Sequence, residues 1–200
     1  MPTTTASPWL ERWLPLLRER AGSSPILELG CGAGADTAPL TTAGLRVIGI
    51  DRCAGEIANA RVAAPLTELY VQDIRANFPP AATQLGAVLA SLSLHYFSWS
   101  ETLTLIERIF ATLRPGGILL CRVNSTNDHN YGASGYPPIE KNYYSVDGES
   151  KRFFDADTLC ELFGSGWHIL AMEEMIIDKY LKPKSVWELL VEKIDAEKQS

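Results

Sequence analysis

Between residues 26 and 124, short apolar runs alternate with segments of helical periodicity, and no other feature constrains the chain as much. The runs ILELG (26–30), LRVIGID (45–51), LYVQD (69–73), LGAVLASLSL (85–94) and GILLCRVN (117–124) have the length and composition of buried strands. Helix candidates lie between them: Ala35–Ala43 closed by Gly44, Cys53–Val62, and Trp99–Leu113. The last has Ser98 and Glu101 at capping-box spacing, followed by Leu103, Ile106, Phe110 and Leu113 on one face. Strand and helix in turn predict an α/β fold, a mostly parallel sheet covered on both faces, with ligands gathered at the carboxyl ends of the strands.

The first run passes directly into a turn carrying Gly30, Gly32 and Gly34. Glycine adopts backbone angles closed to other residues and removes the side chain that would hold a ligand away from the main chain. The next strand ends in Asp51, placed to accept hydrogen bonds from ribose hydroxyls. Gly30, Gly32 and Ala35 also satisfy the dinucleotide fingerprint, so the glycines alone leave two cofactor classes open. Glu28, two residues before the first glycine, would repel a pyrophosphate and favour a ligand carrying an ammonium and a sulfonium, namely S-adenosylmethionine.

The flanks complete the outline. Ser7 before Pro8 marks a helix start, with Trp9, Leu10, Trp13, Leu14 and Leu17 on one face and Pro15 expected to kink or split it. After Asn124 comes STNDHNYGASGYPPIEKNYYSVDGES, too long for an idle connection and expected to be a lid or a disordered insert. A helix is expected from Asp155, then WHILAMEEMIID. Trp187, Leu190, Val191 and Ile194 fit a helix, while Trp187, Leu189 and Val191 fit a strand. A single domain of 200 residues is expected: a helical cap (1–24), a cofactor-binding half (25–124), a lid or substrate insert (125–152) and a substrate-side half (153–200).

The formal net charge of −6 disfavours a nucleic-acid partner, although Lys179, Lys182 and Lys184 could form a local basic patch. Cys31, Cys53, Cys121 and Cys160 show no CxxC pairing and read as reduced thiols; His129 and His168 lack ligand spacing, so no metal is expected. With no uncharged membrane-length run and no cleavage site in the first 22 residues, a cytoplasmic protein without a membrane partner is expected.

In this order and spacing, ELGCGAG, GIDR, VQDI, LASLSLHYF and LRPGGILL resemble the class I S-adenosylmethionine-dependent methyltransferases over residues 24–124. The resemblance implies a Rossmann-like sandwich: a mostly parallel seven-stranded sheet, helices on both faces and an antiparallel C-terminal strand. It implies that Gly30, Gly32 and Gly34, with the backbone of Cys31, line the methionine moiety and that Glu28 orients its amino end. Asp51 would hold the ribose, Asp73 would accept from the adenine amino group, Arg52 and Ile74 would flank the adenine, and Ser91 would meet the methionine end. KRFFDADTLCELF and WHILAMEE look more narrowly like the tellurite-resistance-type methyltransferases, which use the region at and after the fifth strand for small-molecule substrates.

Methyl transfer from a sulfonium depends mostly on alignment and exclusion of water. His95, at the end of the fourth strand, is the candidate general base, or else a histidine packed beneath the lid. Tyr96, Asn124, Tyr131 and Tyr143 are candidate acceptor contacts; Asp128, His129 and Tyr144 share the insert. SLSLHYF lacks the Asn-Pro-Pro-aromatic signature of enzymes that modify base amino groups, which favours a small-molecule acceptor. The expectation is therefore a methyltransferase, monomer or homodimer, releasing S-adenosylhomocysteine. A nicotinamide-dependent oxidoreductase and a catalytically silent cofactor-binding module are the alternatives.

Overall fold

A computed structural model describes residues 8–178 and 180–194. Ser7 and Lys179, named above as a helix start and part of a basic patch, lie outside the described residues. The order of elements is α1 (Pro8–Ala21), β1 (Ile26–Leu29), α2 (Thr37–Thr42), β2 (Val47–Asp51), α3 (Ala54–Ala63), β3 (Glu68–Val71) and β4 (Leu85–Ser91). A 3-10 turn (Leu94–Tyr96), α4 (Trp99–Thr112) and β5 (Leu113–Asn124) follow. Then come β6 (Pro138–Glu140), β7 (Tyr143–Val146), β8 (Glu149–Arg152), α5 (Ala156–Leu162), β9 (Trp167–Ile177) and β10 (Lys184–Lys193).

Seven strands form one sheet in the order β3-β2-β1-β4-β5-β10-β9. β1, β2, β3, β4 and β5 pair in parallel, whereas β10 runs antiparallel to both β5 and β9. The ambiguous segment at 185–194 is thus a strand: Trp187, Leu189 and Val191 pack against the α4 and α5 side, and Leu190 points to the other face. The chain leaves β1 toward β2 on one side and returns to β4 on the other, opening a crevice where ligands bind in such sheets.

Alternation along the strands divides the core in two. Leu27, Leu29, Val88, Ala90, Leu119 and Cys121 face α4 and α5, while Ile26, Ala87, Leu89, Ile118 and Leu120 face α1 and α2. α1 runs through Pro15 without being split there, and it buries Leu10, Leu17 and Ala21. α4 has the expected capping box: Glu101 N donates to Ser98 Oγ at 3.3 Å, and Ser98 N donates to Glu101 Oε2 at 3.0 Å. Its buried face is Thr102, Leu105, Ile106 and Ile109, and Leu103 is exposed rather than packed. β3 is not a buried strand either; as the sheet edge it leaves Tyr70 and Val71 exposed.

The long segment after β5 folds as a second, three-stranded antiparallel sheet, β6-β7-β8. Arg152 fastens it to the main body: its Nε donates to Phe97 O at 3.0 Å, its Nη2 meets Glu140, and Glu140 also accepts from Trp99 N at 3.0 Å. The preceding loop docks on the β9–β10 connection. Tyr131 Oη donates to Lys182 O at 2.9 Å and accepts from Lys182 N at 3.0 Å. Beneath it, buried Lys184 pairs with buried Asp128 at 2.7 Å.

Candidate functional site

A cleft of about 290 Å³ opens at the carboxyl ends of the parallel strands. Gly30 follows β1, Asp51 and Arg52 end β2, Asp73, Ile74 and Arg75 follow β3, and Leu92, Ser93, Tyr96 and Phe97 follow β4. Gly30, Asp51, Arg52, Asp73, Ile74 and Tyr96 were legible from sequence; Arg75, Leu92, Ser93 and Phe97 were not.

The three glycines answer to different demands. At Gly30 (φ 73°) a Cβ would lie 2.6 Å from Ser93 Cβ, so β1 and the end of β4 close together only without a side chain there. Ser93 Oγ completes that join by donating to Leu29 O at 2.6 Å. Gly34 is set by packing, since its Cβ would come within 3.2 Å of Ala60 on α3. Only at Gly32 does a Cβ meet open space, and its amide donates to Asp51 Oδ2 at 2.9 Å. Cys31 N donates to Ile50 O at 3.0 Å and its thiol is buried beside Gly49, so it serves the loop's own folding. Burial pushes that thiol up to about 12.

Carboxyl groups stand on or just past three successive strands, in three different environments. Asp51 spans two loops, accepting from Gly32 N and, through Oδ1, from Cys53 N at 2.8 Å. Each of its oxygens keeps a further lone pair for a hydroxyl donor. Asp73 lines the cleft but is gripped by Arg75, whose Nη2 and Nε donate at 2.7 and 3.0 Å; this bonding holds the carboxyl below its usual range. Arg75 also reaches Glu101 at 3.4 Å.

Glu28 departs from the sequence-based expectation. It points to the α2 side rather than into the cleft, is buried, and accepts from Thr37 Oγ1 at 2.6 Å. Burial, with Asp36 and Asp51 nearby, raises its pKa to about 8 against the Thr37 hydrogen bond, so without a ligand it is largely neutral at pH 7. Burial disfavours the negative charge expected there, since a lone carboxylate in that pocket has no counter-charge.

On the acceptor side the structure separates the candidates. Tyr96 lines the cleft with its ring 4.4 Å from that of His95. His95 is buried behind it, with Nδ1 unpartnered among the described residues; burial first, then Lys184 and Lys151, hold it well below its ordinary pKa. Tyr143 is buried and donates to Tyr96 O at 3.2 Å, holding the small sheet to the 3-10 turn. Asn124 is fully buried between β5 and Arg152 O, and Tyr131 is committed to Lys182. Asn124, Tyr131 and Tyr143 are not among the residues that line the cleft. Ser91 also turns away, accepting from Arg122 Nη2 at 2.7 Å on the α1 side.

Leu92, a non-glycine at φ 58°, is a cleft residue that no sequence signal marks. A backbone of this kind costs on the order of 1–3 kcal/mol and concentrates at ligand sites. Among the described residues no group of three or more His, Cys, Asp or Glu is arranged to hold a metal ion, and no helix is long and apolar enough to cross a membrane.

These groups suit a ligand with a ribose diol, an adenine and an amino-acid tail. Asp51 offers acceptors to the diol, Asp73 one to an exocyclic amine, Ile74, Leu92 and Phe97 supply apolar walls, and Gly30 brings bare backbone to the cleft. A diphosphate would meet Asp51 and Asp73, while Arg75 is already held by Asp73 and Glu101.

Residues 26–117 match the family model described as "Methyltransferase domain". The chain is 37% identical over 101 residues to a trans-aconitate 2-methyltransferase of Paracidovorax citrulli, covering 50% of this chain and 38% of that protein. The match thus spans well under two thirds of that relative. A S-adenosylmethionine-dependent methyltransferase structure from Methanosarcina mazei superposes with a TM-score of 0.74 at 19% identity, covering 90% of this chain and 97% of that one. A 1,6-didemethyltoxoflavin-N1-methyltransferase from Burkholderia thailandensis, solved with its acceptor and S-adenosylhomocysteine, gives 0.69 at 19% identity, covering 93% of this chain and 78% of that one. The two structural likenesses establish the fold, and residues 26–117, 92 of the 200, carry the similarity to the methyltransferase domain.

Proposed function

We propose that this protein transfers a methyl group from S-adenosylmethionine to a small-molecule acceptor and releases S-adenosylhomocysteine. The observation that carries the reading is the bridge from Asp51 to Gly32, which ties a carboxylate that lines the cleft to the glycine loop after β1. The donor brings a methyl already activated on a positively charged sulfur, so the chain's own work is to bind, align and exclude water.

Asp51 holds the ribose hydroxyls, and Asp73 accepts from the adenine amino group beside Arg75. Ile74 and Arg52 flank the adenine. The loop of Gly30, Cys31, Gly32 and Gly34 gives the amino-acid tail room against the main chain. Glu28 acts from behind the loop: an ammonium near it would draw the carboxyl into its charged form, recovering part of the cost of burying it. Tyr96 faces the acceptor, and neutral His95 behind it keeps Nδ1 available for a hydrogen bond.

A small acceptor is supported by the relative named for trans-aconitate and by the net charge of −6. Calorimetry with S-adenosylmethionine and S-adenosylhomocysteine tests the donor; saturable binding is expected, and binding of neither defeats the reading. A panel of small metabolites and tRNA, scored for S-adenosylhomocysteine release, tests the acceptor. Turnover on tRNA alone would overturn the small-molecule assignment.

A further inference from the structure

Arg122, near the end of β5, is 5% exposed, yet no carboxylate lies within ion-pair distance of its guanidinium among the described residues. Its hydrogen bonds go to one hydroxyl, Ser91 Oγ, from Nε at 3.3 Å and Nη2 at 2.7 Å. The indole of Trp9 covers the guanidinium, 4.0 Å from ring centroid to Cζ. The two nearby acids have other partners. Asp36 accepts from Trp9 Nε1 at 3.1 Å, and Glu188, opposite Arg122 in the β5–β10 register, accepts from Trp13 Nε1 at 2.7 Å through Oε1; its Oε2 is without a partner among the described residues, and both acids act on the guanidinium at longer range. Tyr180, on the β9–β10 connection, is close enough to feel the guanidinium electrostatically.

Burying a cation without a contacting anion costs several kcal/mol, and a hydroxyl repays only part of it. A chain that needed only packing under Trp9 would do better with an apolar residue. Ser91, which orients the guanidinium, leads directly into Leu92 and Ser93 of the cleft wall, and Leu92 N donates to Arg122 O at 2.9 Å. Arg122 therefore sits on the α1 side of the sheet, beside the strand that leads into the cleft wall, two strands from β1 and away from the acids of β2 and β3.

We propose that Arg122, oriented by Ser91 and covered by Trp9, is the receptor for a ligand carboxylate at this site. The inference rests on the methyltransferase reading, which offers two carriers of that group: the amino-acid end of the donor and an acidic acceptor.

The test compares the unaltered protein with Arg122→Gln and Arg122→Lys, each checked for folding by circular dichroism and melting. Calorimetry uses S-adenosylhomocysteine and 5′-deoxy-5′-(methylthio)adenosine, which keeps the nucleoside and lacks the carboxylate. Citrate and succinate are then titrated into the S-adenosylhomocysteine complex. If the donor carries the group, Arg122→Gln weakens S-adenosylhomocysteine at least tenfold, leaves the methylthio nucleoside within twofold, and Arg122→Lys recovers part of the loss. If the acceptor carries it, S-adenosylhomocysteine is unaffected and saturable binding of the carboxylate probes disappears in Arg122→Gln. A folded Arg122→Gln that changes neither, or weakens both nucleosides equally, overturns the proposal. Should Arg122→Gln fail to fold, crystals of the unaltered protein soaked with S-adenosylhomocysteine and citrate decide it. A carboxylate oxygen within about 3.2 Å of an Arg122 nitrogen supports the proposal, and none there refutes it. Failure of the unaltered protein to bind S-adenosylhomocysteine would instead indict the function reading.

Discussion

The carboxylate of Asp51 accepts the Gly32 amide at 2.9 Å, tying the end of β2 to the loop after β1 across 19 residues of chain. One side chain thus shapes the loop and offers the site its most accessible acceptors. Asp51→Ala is expected to weaken S-adenosylhomocysteine by about 1.5–3 kcal/mol, typical of lost charged hydrogen bonds, with the fold retained. Asp51→Asn, which keeps one acceptor oxygen, should fall between. Calorimetry checks both; an unaltered affinity in Asp51→Ala would mean that the ribose binds elsewhere.

Asp73 and Arg75 form an exposed pair, so their mutual attraction adds little to stability, on the order of 0–1 kcal/mol. Arg75→Ala should therefore leave the melting temperature nearly unchanged and S-adenosylhomocysteine affinity within about threefold, whereas Asp73→Ala should lower affinity by about tenfold, the size of one good hydrogen bond. Equal losses in the two variants would show that Arg75 contacts the ligand.

Glu28 gives a signed pH dependence. Its folded pKa of about 8 lies above the ordinary carboxylate value, so the native state holds a proton that the unfolded chain has released. This group's contribution is therefore most favourable near pH 4.5 and declines as pH rises to about 8, after which it is constant. Glu28→Gln fixes the neutral form, so its stability relative to the unaltered protein should rise from pH 6 to pH 8. Urea midpoints of the two proteins across that range measure the difference; parallel curves would mean that Glu28 is not buried as described.

His95 is held neutral by burial and by Lys184 and Lys151. Its ring resonances should show no titration between pH 6 and pH 8 in NMR spectra assigned with His95→Asn. A midpoint near the ordinary histidine value would place the ring in solvent and remove it from the wall behind Tyr96.

The parallel core was legible because each strand is a short apolar run and each helix carries a start or stop signal: Ser98 with Glu101, and Gly44. α2 starts two residues later than expected from Ala35, with Asp36 turned to Trp9 Nε1, and α1 is not split at Pro15, because packing on the sheet holds it. The acids of the site showed through because each sits at or just past a strand end. What they do was hidden, since Glu28's neutrality depends on its burial beside Thr37 and Asp73's engagement on the conformation of Arg75. The acceptor wall was harder still. Tyr143 and Asn124 read as polar insert residues, yet their positions follow from long-range contacts with Tyr96 and Arg152. Arg122 lies in an otherwise apolar strand, and only its missing counter-ion marks it.

The most direct test of the donor site is a crystal grown with S-adenosylhomocysteine and NADH at equal concentration. Density is expected for S-adenosylhomocysteine alone, with its ribose hydroxyls within about 3.2 Å of Asp51 and its adenine beside Ile74. A dinucleotide whose diphosphate lies against residues 30–34, or an adenosine outside the cleft, would contradict it.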